Sequence, residues 1–471
     1  MKIENLVWLR NDLRLDDNPA IFRACQNNPF RIVFIITIKQ WQKHNVSQAS
    51  IGLRLYLVKE IANQCGKLGI KFDILICDWF DEIPELLNDF CQSNGIKQLW
   101  FNKETPFDEN KRDSSVIELL QKSDIKVNTE SYDLIVNQPA FNLTGTPFKV
   151  FTAYYKRWMK MLQNQNNDVL PKPTKQSEEL VNDLSALDHY TFNYRKDLWP
   201  CDFEKINHGF SNFSKKKIFE YEELKEFPNL QATSFLSPYL ALGCIGPRKC
   251  LQQIKQAYIN SEHHNSHDWL QDGWLRELAW RDFYRQLMVH FPHISKNQDF
   301  KANTKNLPWR DDTSDFEKWC EGQTGFPIID AEMRQLNQTG WMHNRLRMLT
   351  ASFLTKLLFI DWRLGEKYFM QTLIDGEFCA NNGGWQWSAS TGCDSAPYFR
   401  VFNPILQSEK FDKTGEFIRK FVPEIAELDY KFIHNPTLEQ RQEYHYSKPV
   451  VDYKSARQRS ITLFKNNQIG I

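Results

Sequence analysis

The stretch Leu6-Val7-Trp8-Leu9 is a short apolar run, and the polar residues Arg10-Asn11-Asp12 follow it directly. An apolar run of this length with polar flanks predicts a buried β-strand. Three similar runs follow before residue 131: Arg31–Ile38, Phe72–Cys77 and Lys97–Phe101. Helical patterns separate them, as in Leu53–Leu68 and Glu82–Asn94. Buried strands that alternate with helices predict a parallel, doubly wound α/β sheet.

The rest of the chain divides by its pattern. No glycine fingerprint follows the first strand, so a dinucleotide is not expected to bind there in the Rossmann manner. Between about Lys160 and Trp199 the periodicity disappears, which predicts a long surface connection. From about Ser214 onward apolar residues recur at helical spacing. We therefore predict an α/β domain over 1–130, an interdomain connector over 131–213 and an all-α domain over 214–471.

The composition of the 471 residues is that of a soluble globular protein, with 41% hydrophobic and 25% charged residues. Because the net charge is only +1, a polyanion would need a local basic patch. The segment from Arg334 to Arg347 is one candidate, since it also contains His343 and Arg345 and no acidic residue. A solvated helix face is the commoner meaning of such a run.

The cysteines and the apolar runs indicate the cell compartment and whether a metal site is expected. None of the ten cysteines forms a CxxC pair, so neither a metal site nor a disulfide framework is indicated. Free thiols favour a reducing, cytoplasmic compartment. No signal peptide and no apolar run long enough to span a membrane is evident, so no membrane partner is expected.

Four motifs carry polar groups that suit a ligand. The run Thr233–Leu240 places hydroxyls before an apolar helix, which fits either an anion site or a simple N-cap and turn. Trp274, Glu277 and Arg281 share one face of a predicted helix, which suits a base with a polar edge or a plain ion pair.

The other two motifs lie further along the chain. Arg345 and Arg347 are roughly 200° apart on a helix, so one could face a buried anion while the other reaches a phosphate. The two asparagines and two glycines of Asn381–Gly384 would destabilise a helix interior, so we expect a turn there. The carboxylates of Asp375 and Glu377 could accept hydrogen bonds from ligand hydroxyls or from an imide.

The runs WLRELAWRDFYR at 274–285, GWMHNRLRM at 340–348 and DGEFCANNGGWQW at 375–387 closely resemble the photolyase/cryptochrome family. More narrowly, they resemble class I bacterial photolyases that act on cyclobutane pyrimidine dimers, and the likeness covers nearly the whole chain. It implies an α/β domain for an antenna chromophore and a helical domain that binds FAD and DNA. The implied activity is that of a carbon–carbon lyase, in which fully reduced FADH⁻ gives a light-excited electron to a dimer flipped out of the duplex.

The resemblance also implies the residues around FAD. They are Tyr221, Thr233, Ser234, Phe235, Leu236, Ser237, Trp274, Arg281, Asn344, Arg347, Asp375, Gly376, Glu377 and Asn381. Asn381 would lie beside flavin N5, where a neutral amide adds no negative charge to an anionic reduced flavin. Plant cryptochromes carry aspartate there, so Asn381 favours repair over signalling. Its alternative role is that of a structural turn residue.

Three groups of residues are implied for electron transfer and for the substrate. Trp385, Trp362 and Trp309 match the chain of indoles that photoreduces the flavin, although each could be core packing. Four residues match the pocket that holds the dimer, and Glu277, Met348 and Asn381 are the expected catalytic residues. The pocket residues are Glu277, Trp280, Met348 and Trp387. The expected DNA contacts are Lys225, Asn344, Arg345 and Gln407.

The antenna site is implied by His44, Glu109 and Lys296, which match positions that hold a folate in relatives. Asp108 stands where relatives often carry asparagine, and Ser295 stands where a cysteine is found. We expect 5,10-methenyltetrahydrofolate, with a deazaflavin or no antenna as alternatives.

Three other functions compete with dimer repair. A cryptochrome photoreceptor would carry a long variable tail, and only about 50 residues follow Gly415. A (6-4) photolyase would use a histidine pair, whereas Met348 and Trp387 occupy that region. A helical nucleic-acid-binding protein without chemistry would be colourless. We expect a monomer with no obligate protein partner.

Overall fold

A computed structural model describes residues 3–26, 29–130, 133–191, 194–262 and 264–469, with side chains up to residue 467. Five strands form one parallel sheet in the order β3-β2-β1-β4-β5. The strands are β1 (Asn5–Leu9), β2 (Phe30–Ile36), β3 (Phe72–Ile76), β4 (Gln98–Asn102) and β5 (Lys126–Glu130). The expected α/β sheet is confirmed, and β5 is an additional strand that the apolar pattern did not reveal.

The central strands explain why the first motif predicts the fold. Every residue of β1 and β2 is buried, whereas β3 and β5 at the edges are partly exposed. Strands that are covered on both faces are largely apolar, which produces the short continuous runs seen in the sequence, with the buried polar residues Asn5 and Arg31 near the strand starts. The edge strand β5, with the sequence KVNTE, lacks that signal.

Helices account for most of the remaining chain. Those before residue 245 are α1 (Pro19–Ala24), α2 (Ile38–Lys43), α3 (Gln48–Lys67), α4 (Ile83–Asn94), α5 (Phe107–Lys122), α6 (Phe151–Gln163), α7 (Phe203–Asn212), α8 (Tyr221–Leu224) and α9 (Ser237–Ala241). The others are α10 (Pro247–Ile259), α11 (Gly273–His290), α12 (Thr313–Glu321), α13 (Pro327–Thr339), α14 (Asn344–Ser352), α15 (Trp362–Thr372), α16 (Phe378–Ala389), α17 (Pro404–Phe411), α18 (Glu416–Phe421), α19 (Tyr430–Ile433), α20 (Leu438–Glu443) and α21 (Tyr453–Ile469).

Shorter helical turns connect these elements. Five are 3₁₀ turns: Ser185–Leu187, Asp268–Gln271, Pro292–Lys296, Ala302–Thr304 and Pro423–Ile425. Two are π turns: Phe213–Lys217 and Phe353–Leu358. No described helix is both long and apolar enough to cross a membrane.

The chain forms two compact units. The sheet unit comprises residues 1–219 and 234–292, and the helical unit comprises residues 220–233 and 293–471. Residues 234–292 belong with the sheet because, for example, the backbone N–H of Leu13 donates to Leu242 O at 3.2 Å and Arg14 Nη1 donates to Gly243 O at 2.9 Å. The predicted domain ranges are a different division of the chain and stay a prediction.

The predicted connector is only partly irregular. Helix α6 and helix α7 lie within 131–213, and between them the described residues contain a single 3₁₀ turn, Ser185–Leu187. The loss of periodicity after Lys160 therefore marks the irregular part correctly.

The expected turn at Asn381–Gly384 is wrong, because these residues lie inside helix α16. The side chain of Glu377 caps the helix by accepting from Ala380 N at 2.8 Å. The side chains of Asn381 and Asn382 donate to groups of Glu366 instead of competing for the helix backbone. Tertiary hydrogen bonds thus offset the poor helix propensity of the sequence.

A buried carboxylate holds the segment before α6 in place. Asp282 of α11 is fully buried, and its Oδ2 accepts from Ile135 N at 3.0 Å, Val136 N at 3.1 Å and Trp158 Nε1 at 3.0 Å. Burial raises the pKa of this carboxyl to about 6, although the hydrogen bonds oppose the shift.

Replacing Asp282 with alanine removes the acceptor of three buried donors. Each unsatisfied donor costs about 1–3 kcal/mol, so we expect Asp282→Ala to lower the free energy of unfolding by at least about 3 kcal/mol. Urea unfolding measures this loss, and hydrogen exchange at the amides of Ile135 and Val136 locates it. Asp282→Asn keeps an accepting oxygen and should lose less; equal stability of Asp282→Ala and the parent would contradict this role.

Candidate functional site

Asn381 is held by the backbone of the neighbouring helix. Its Nδ2 donates to the carbonyl oxygen of Glu366, on α15, at 3.0 Å. One N–H of the amide is therefore already used, and the amide oxygen is the atom that can accept a hydrogen bond from a ligand. The side chain is neutral and half-buried.

A chain of hydrogen bonds continues from the Glu366 carboxyl group. Asn382 Nδ2 donates to Glu366 Oε1 at 2.8 Å, and Gln386 Nε2 donates to Asn382 Oδ1 at 2.9 Å. Gln386 Oε1 then accepts from Phe300 N at 2.8 Å. Desolvation raises the pKa of Glu366 to about 7, with the hydrogen bond from Asn382 and the charge of Arg363 opposing the shift. Sequence reasoning missed Glu366, because a single glutamate in an amphipathic helix carries no motif.

Arg347 does face an anion, and that anion is a carboxylate of the protein. Its Nη2 donates to Asp375 Oδ1 at 3.0 Å and to Oδ2 at 2.7 Å, while its Nε donates to Met342 O at 2.8 Å. Asp375 is buried and lies in the turn between α15 and α16. The ion pair therefore fixes the turn that precedes Asn381.

The candidate basic patch over Arg334–Arg347 is partly neutralised, because carboxylates from elsewhere in the helical unit pair with its guanidinium groups. Arg334 pairs with Glu424 at 2.8 Å, and Arg345 pairs with Glu226. The pKa of His343 is lowered to about 4 by burial and by the nearby guanidinium groups, so its imidazole is neutral at pH 7. The absence of acids within the run said nothing about acids brought in by the fold.

The expected DNA contacts in the helical unit are also partly engaged. Lys225 Nζ lies 2.9 Å from Glu222 Oε2, within α8 and its C-terminal end. Asn344 is exposed at the first turn of α14, whereas Arg345 and Gln407 are half-buried. A phosphate would have to compete with the acidic partners of Lys225 and Arg345.

The three predicted electron-transfer indoles all lie in the helical unit. Trp362 and Trp385 are buried, and Trp309 is half-buried. An added Cβ at Gly365 would lie 2.2 Å from Trp385 Cη2, so Trp385 packs against α15 one turn beyond Trp362. No two of these three described indoles are in direct ring contact. Trp385 instead contacts Phe369 and Trp319, at 4.9 and 6.0 Å between ring centroids.

Several predicted site residues lie in the sheet unit, among them Trp274, Glu277, Trp280 and Arg281. Trp280 stacks parallel to Phe151, with 3.6 Å between ring centroids and 7° between planes, so one face of the indole is covered. Arg281 Nη2 donates to Asp133 Oδ2 at 2.6 Å, and the charges of several arginines keep the pKa of Asp133 below its usual range. Trp274 is buried against Phe210 and Phe213, and Glu277 is half-buried.

The predicted cofactor run Thr233–Ser237 shows two signs of a built site. The hydroxyl of Thr233 is buried and has no hydrogen-bond partner in the described structure. Phe235 has φ +54°, a left-handed conformation that costs a bulky residue energy. Helix α9 begins within the run, at Ser237, and is only five residues long.

The other predicted site residues differ in how far they are buried. Tyr221 is buried, and Met348, Gly376, Glu377 and Trp387 are half-buried.

Three of the four predicted antenna residues are placed in the sheet unit. His44 Nε2 lies 3.1 Å from Asp108 Oδ2, and His44 Nδ1 lies 3.6 Å from Glu109 Oε1. Burial raises the pKa of Glu109, although His44 opposes the shift. Lys296 and Ser295 belong to the helical unit, where Lys296 is exposed.

Comparisons with known proteins agree with this architecture. Residues 274–466 match the family described as the FAD binding domain of DNA photolyase, and residues 5–176 match the family described as DNA photolyase. The deoxyribodipyrimidine photo-lyase of Buchnera aphidicola subsp. Acyrthosiphon pisum is 38% identical over 482 residues, covering 99% of this chain and 98% of that protein.

Solved structures show the same similarity over the whole chain. A bacterial class III photolyase from Agrobacterium tumefaciens superposes with a TM-score of 0.85 at 30% identity, covering 99% of this chain and 98% of that one. A cryptochrome from Synechocystis sp. PCC6803 gives 0.85 at 25% identity, covering 98% and 100%.

A parallel α/β sheet, a mostly helical remainder and a matched FAD binding domain together define a flavoprotein of the photolyase/cryptochrome class. Within that class, the chain belongs to the DNA photolyase family, as the full-length identity to the Buchnera protein shows.

Glu366 predicts a measurable dependence of stability on pH. Its folded pKa of about 7 exceeds its usual value of 4.5, so folding favours the protonated form. The stability that this group contributes is complete below about pH 4.5 and is lost as the pH rises to about 7, a loss of about 3 kcal/mol. We expect Glu366→Gln to remove this part of the pH dependence of the urea midpoint. Glu317→Gln, at an exposed site on α12, is the control; an unchanged slope in Glu366→Gln would contradict the raised pKa.

Proposed function

We propose that this protein repairs cyclobutane pyrimidine dimers in DNA by light-driven electron transfer, as a deoxyribodipyrimidine photo-lyase. The observation that carries the proposal is Asn381: a neutral amide, anchored through its nitrogen, whose oxygen is free for flavin N5. The family match to an FAD binding domain supplies the cofactor. A carbon–carbon lyase needs no nucleophile and base from the protein, and none is required here.

The residues present fit FAD. The unpartnered buried hydroxyl of Thr233 and the strained Phe235 mark the predicted cofactor run. In the helical unit, Arg347 and Asp375 fix the turn that leads to Asn381. Bound and fully reduced, FAD supplies the light-excited electron that splits the dimer. The protein binds the cofactor, orients it and sets the charge around it.

Asn381 is proposed to control the charge beside the flavin. Its amide oxygen can accept a hydrogen bond from N5–H without placing a negative charge there. The Glu366 carboxyl, with its raised pKa, is largely uncharged below about pH 7. Neither Asn381 nor protonated Glu366 would therefore add a negative charge beside flavin N5.

The substrate pocket is proposed to use aromatic side chains and one acid. Phe151 covers one face of Trp280 and Tyr284 stacks on the same indole with 5.5 Å between ring centroids, so a base would use the indole surface that these two rings leave exposed. Trp387 is half-buried on α16, two residues beyond Trp385. Base stacking on an aromatic side chain is worth about 1–3 kcal/mol. Glu277 would hold the carbonyl edge of the dimer, and Met348 would pack against it.

Binding of the flanking DNA is proposed for Lys225, Asn344, Arg345 and Gln407. Lys225 and Arg345 already pair with Glu222 and Glu226. A phosphate that must replace a carboxylate gains less binding free energy than a phosphate that binds an unpaired cation. This exchange keeps undamaged DNA weakly bound, while the flipped dimer adds the specific part of the affinity.

The second chromophore is proposed to be 5,10-methenyltetrahydrofolate, bound near His44, Asp108 and Glu109. The imidazole of His44 already contacts the carboxylates of Asp108 and Glu109, so these contacts would fix the imidazole beside which the folate ring binds. A deazaflavin, or no antenna, remains the alternative. We further propose a cytoplasmic monomer without an obligate protein partner, with an antenna domain over 1–130 and a catalytic domain over 214–471.

Of the competing functions, dimer repair has the best support. Asn381 favours it over a photoreceptor role, and Met348 and Trp387 occupy the region where a (6-4) photolyase would use a histidine pair. A similar fold in a cryptochrome shows that the fold alone does not separate these functions.

Replacing Asn381 with aspartate would add a negative charge beside the flavin. The new carboxylate would lose the donation to Glu366 O and would face that carbonyl oxygen. We expect slower accumulation of fully reduced FAD under blue light, measured by the loss of flavin absorbance, and correspondingly slower repair of a thymine-dimer oligonucleotide. Asn381→Ala, which removes the amide without adding charge, is the control. Photoreduction and repair at parent rates in Asn381→Asp would rule out the proposed role.

Trp280→Ala should separate lesion binding from general DNA binding. We expect the affinity for dimer-containing DNA to fall by about 1–3 kcal/mol, with a much smaller change for undamaged DNA. Trp280→Phe keeps an aromatic face and should lose less. Fluorescence anisotropy with the two DNAs provides the measurement, and equal losses on both would remove Trp280 from the pocket.

A further inference from the structure

The aromatic neighbours of Trp385 include an indole outside the predicted chain. Trp319, on α12, is fully buried and meets Trp385 edge-on, with 6.0 Å between ring centroids and 73° between planes. Phe369 contacts both indoles, at 4.9 Å from Trp385 and 6.0 Å from Trp319. Trp319 is therefore in closer ring contact with Trp385 than Trp362 or Trp309 is.

The contacts continue from Trp319 to the protein surface. Tyr368, on α15, lies 5.7 Å from Trp319 between ring centroids. Its hydroxyl lies 2.8 Å from Asn337 Oδ1, and the side chain of Asn337 is exposed. The path thus runs from a buried indole beside the predicted flavin site to a half-exposed phenol with a hydrogen bond that reaches solvent.

We propose that Trp319 and Tyr368 form a second electron route to Trp385, which branches from the route through Trp362 and Trp309. The proposal rests on the proposed function, in which Trp385 donates an electron to light-excited, oxidised FAD. One electron then passes from Trp319 to Trp385, and one passes from Tyr368 to Trp319. The phenolic proton of Tyr368 leaves with its electron, along the hydrogen bond to Asn337 and into water. A soluble thiol returns one electron and one proton to Tyr368.

Burial explains why the hole ends on Tyr368. A positive charge on Trp319 would sit in an apolar core, where desolvation makes it costly. A tyrosine that loses an electron and a proton together stays neutral, so it avoids that cost. Desolvation raises the pKa of Tyr368 to about 12, so its hydroxyl carries the proton that must leave.

Charge around Trp362 makes the new route the minor one. Trp362 Nε1 donates to Asp299 Oδ1 at 2.9 Å, whereas Trp319 Nε1 donates to the neutral carbonyl of Thr350 at 3.3 Å. Arg363 lies over the Trp362 ring at 4.7 Å, but it pairs with both Asp299 and Asp361. Two carboxylates against one guanidinium leave a net charge of −1 near Trp362, which stabilises a hole there more than on Trp319.

The test removes the main route and looks for the tyrosyl radical. Trp362→Phe holoprotein with oxidised FAD is illuminated with blue light in the presence of a thiol, and radicals are identified by electron paramagnetic resonance. We expect residual photoreduction with a tyrosyl signal. Adding Tyr368→Phe should abolish the signal and the residual photoreduction, whereas adding Tyr444→Phe, at another half-buried tyrosine of the helical unit, should not. If Trp362→Phe fails to fold, Trp309→Phe replaces it as the background.

Two results would overturn the branch. One is residual photoreduction that is the same with and without Tyr368→Phe; the other is a tyrosyl signal that Tyr368→Phe leaves intact. Failure of the proposed function looks different, because the parent protein would then either bind and photoreduce no FAD or be photoreduced without repairing thymine-dimer DNA. A parent that is photoreduced, with no tyrosyl radical in either background, contradicts the branch alone.

Discussion

The hydrogen bonds from α16 to Glu366 are the constraint on which the rest of the helical unit depends. Asn381 and Asn382 donate to the backbone and to the carboxyl of one residue on α15, and Gln386 extends the chain to Phe300. These contacts let a segment with two asparagines and two glycines remain helical. The helix in turn carries Asn381, Trp385 and Trp387, three residues with different proposed roles. A shift of α16 would therefore change cofactor charge, electron transfer and substrate stacking together.

Several arginines of this protein form ion pairs with its own carboxylates. Cations that look available in the sequence, such as Arg334, Arg345 and Arg347, each pair with a carboxylate from another element. In the sheet unit, Asp133 plays the same part for Arg14 and Arg281. Because Lys225 and Arg345, two of the proposed DNA contacts, both have acidic partners, a phosphate bound there would compete with carboxylates.

The sequence predicts what depends on local patterns, and it fails where distant residues decide. The buried strands β1 and β2 show as apolar runs, but the edge strand β5 does not, because a half-exposed strand needs no such run. Three long motifs were enough to locate the cofactor domain, which the family match supports. The helix at 381–387 was missed because its stability comes from Glu366, fifteen residues or more away in the sequence. Glu366, Asp299 and Trp319 carry no motif at all, and their roles appear only when the fold brings them to Asn382, Trp362 and Trp385.

In the proposed function, the helical unit holds FAD so that its excited electron reaches a flipped pyrimidine dimer. The most direct measurement is the rate at which purified protein, reconstituted with FAD and photoreduced, restores thymine-dimer DNA under blue light, followed together with the absorbance spectrum of the protein. We expect a flavin spectrum and repair that stops in the dark. A protein that binds FAD and is reduced by light, yet leaves the dimers unchanged, would contradict it.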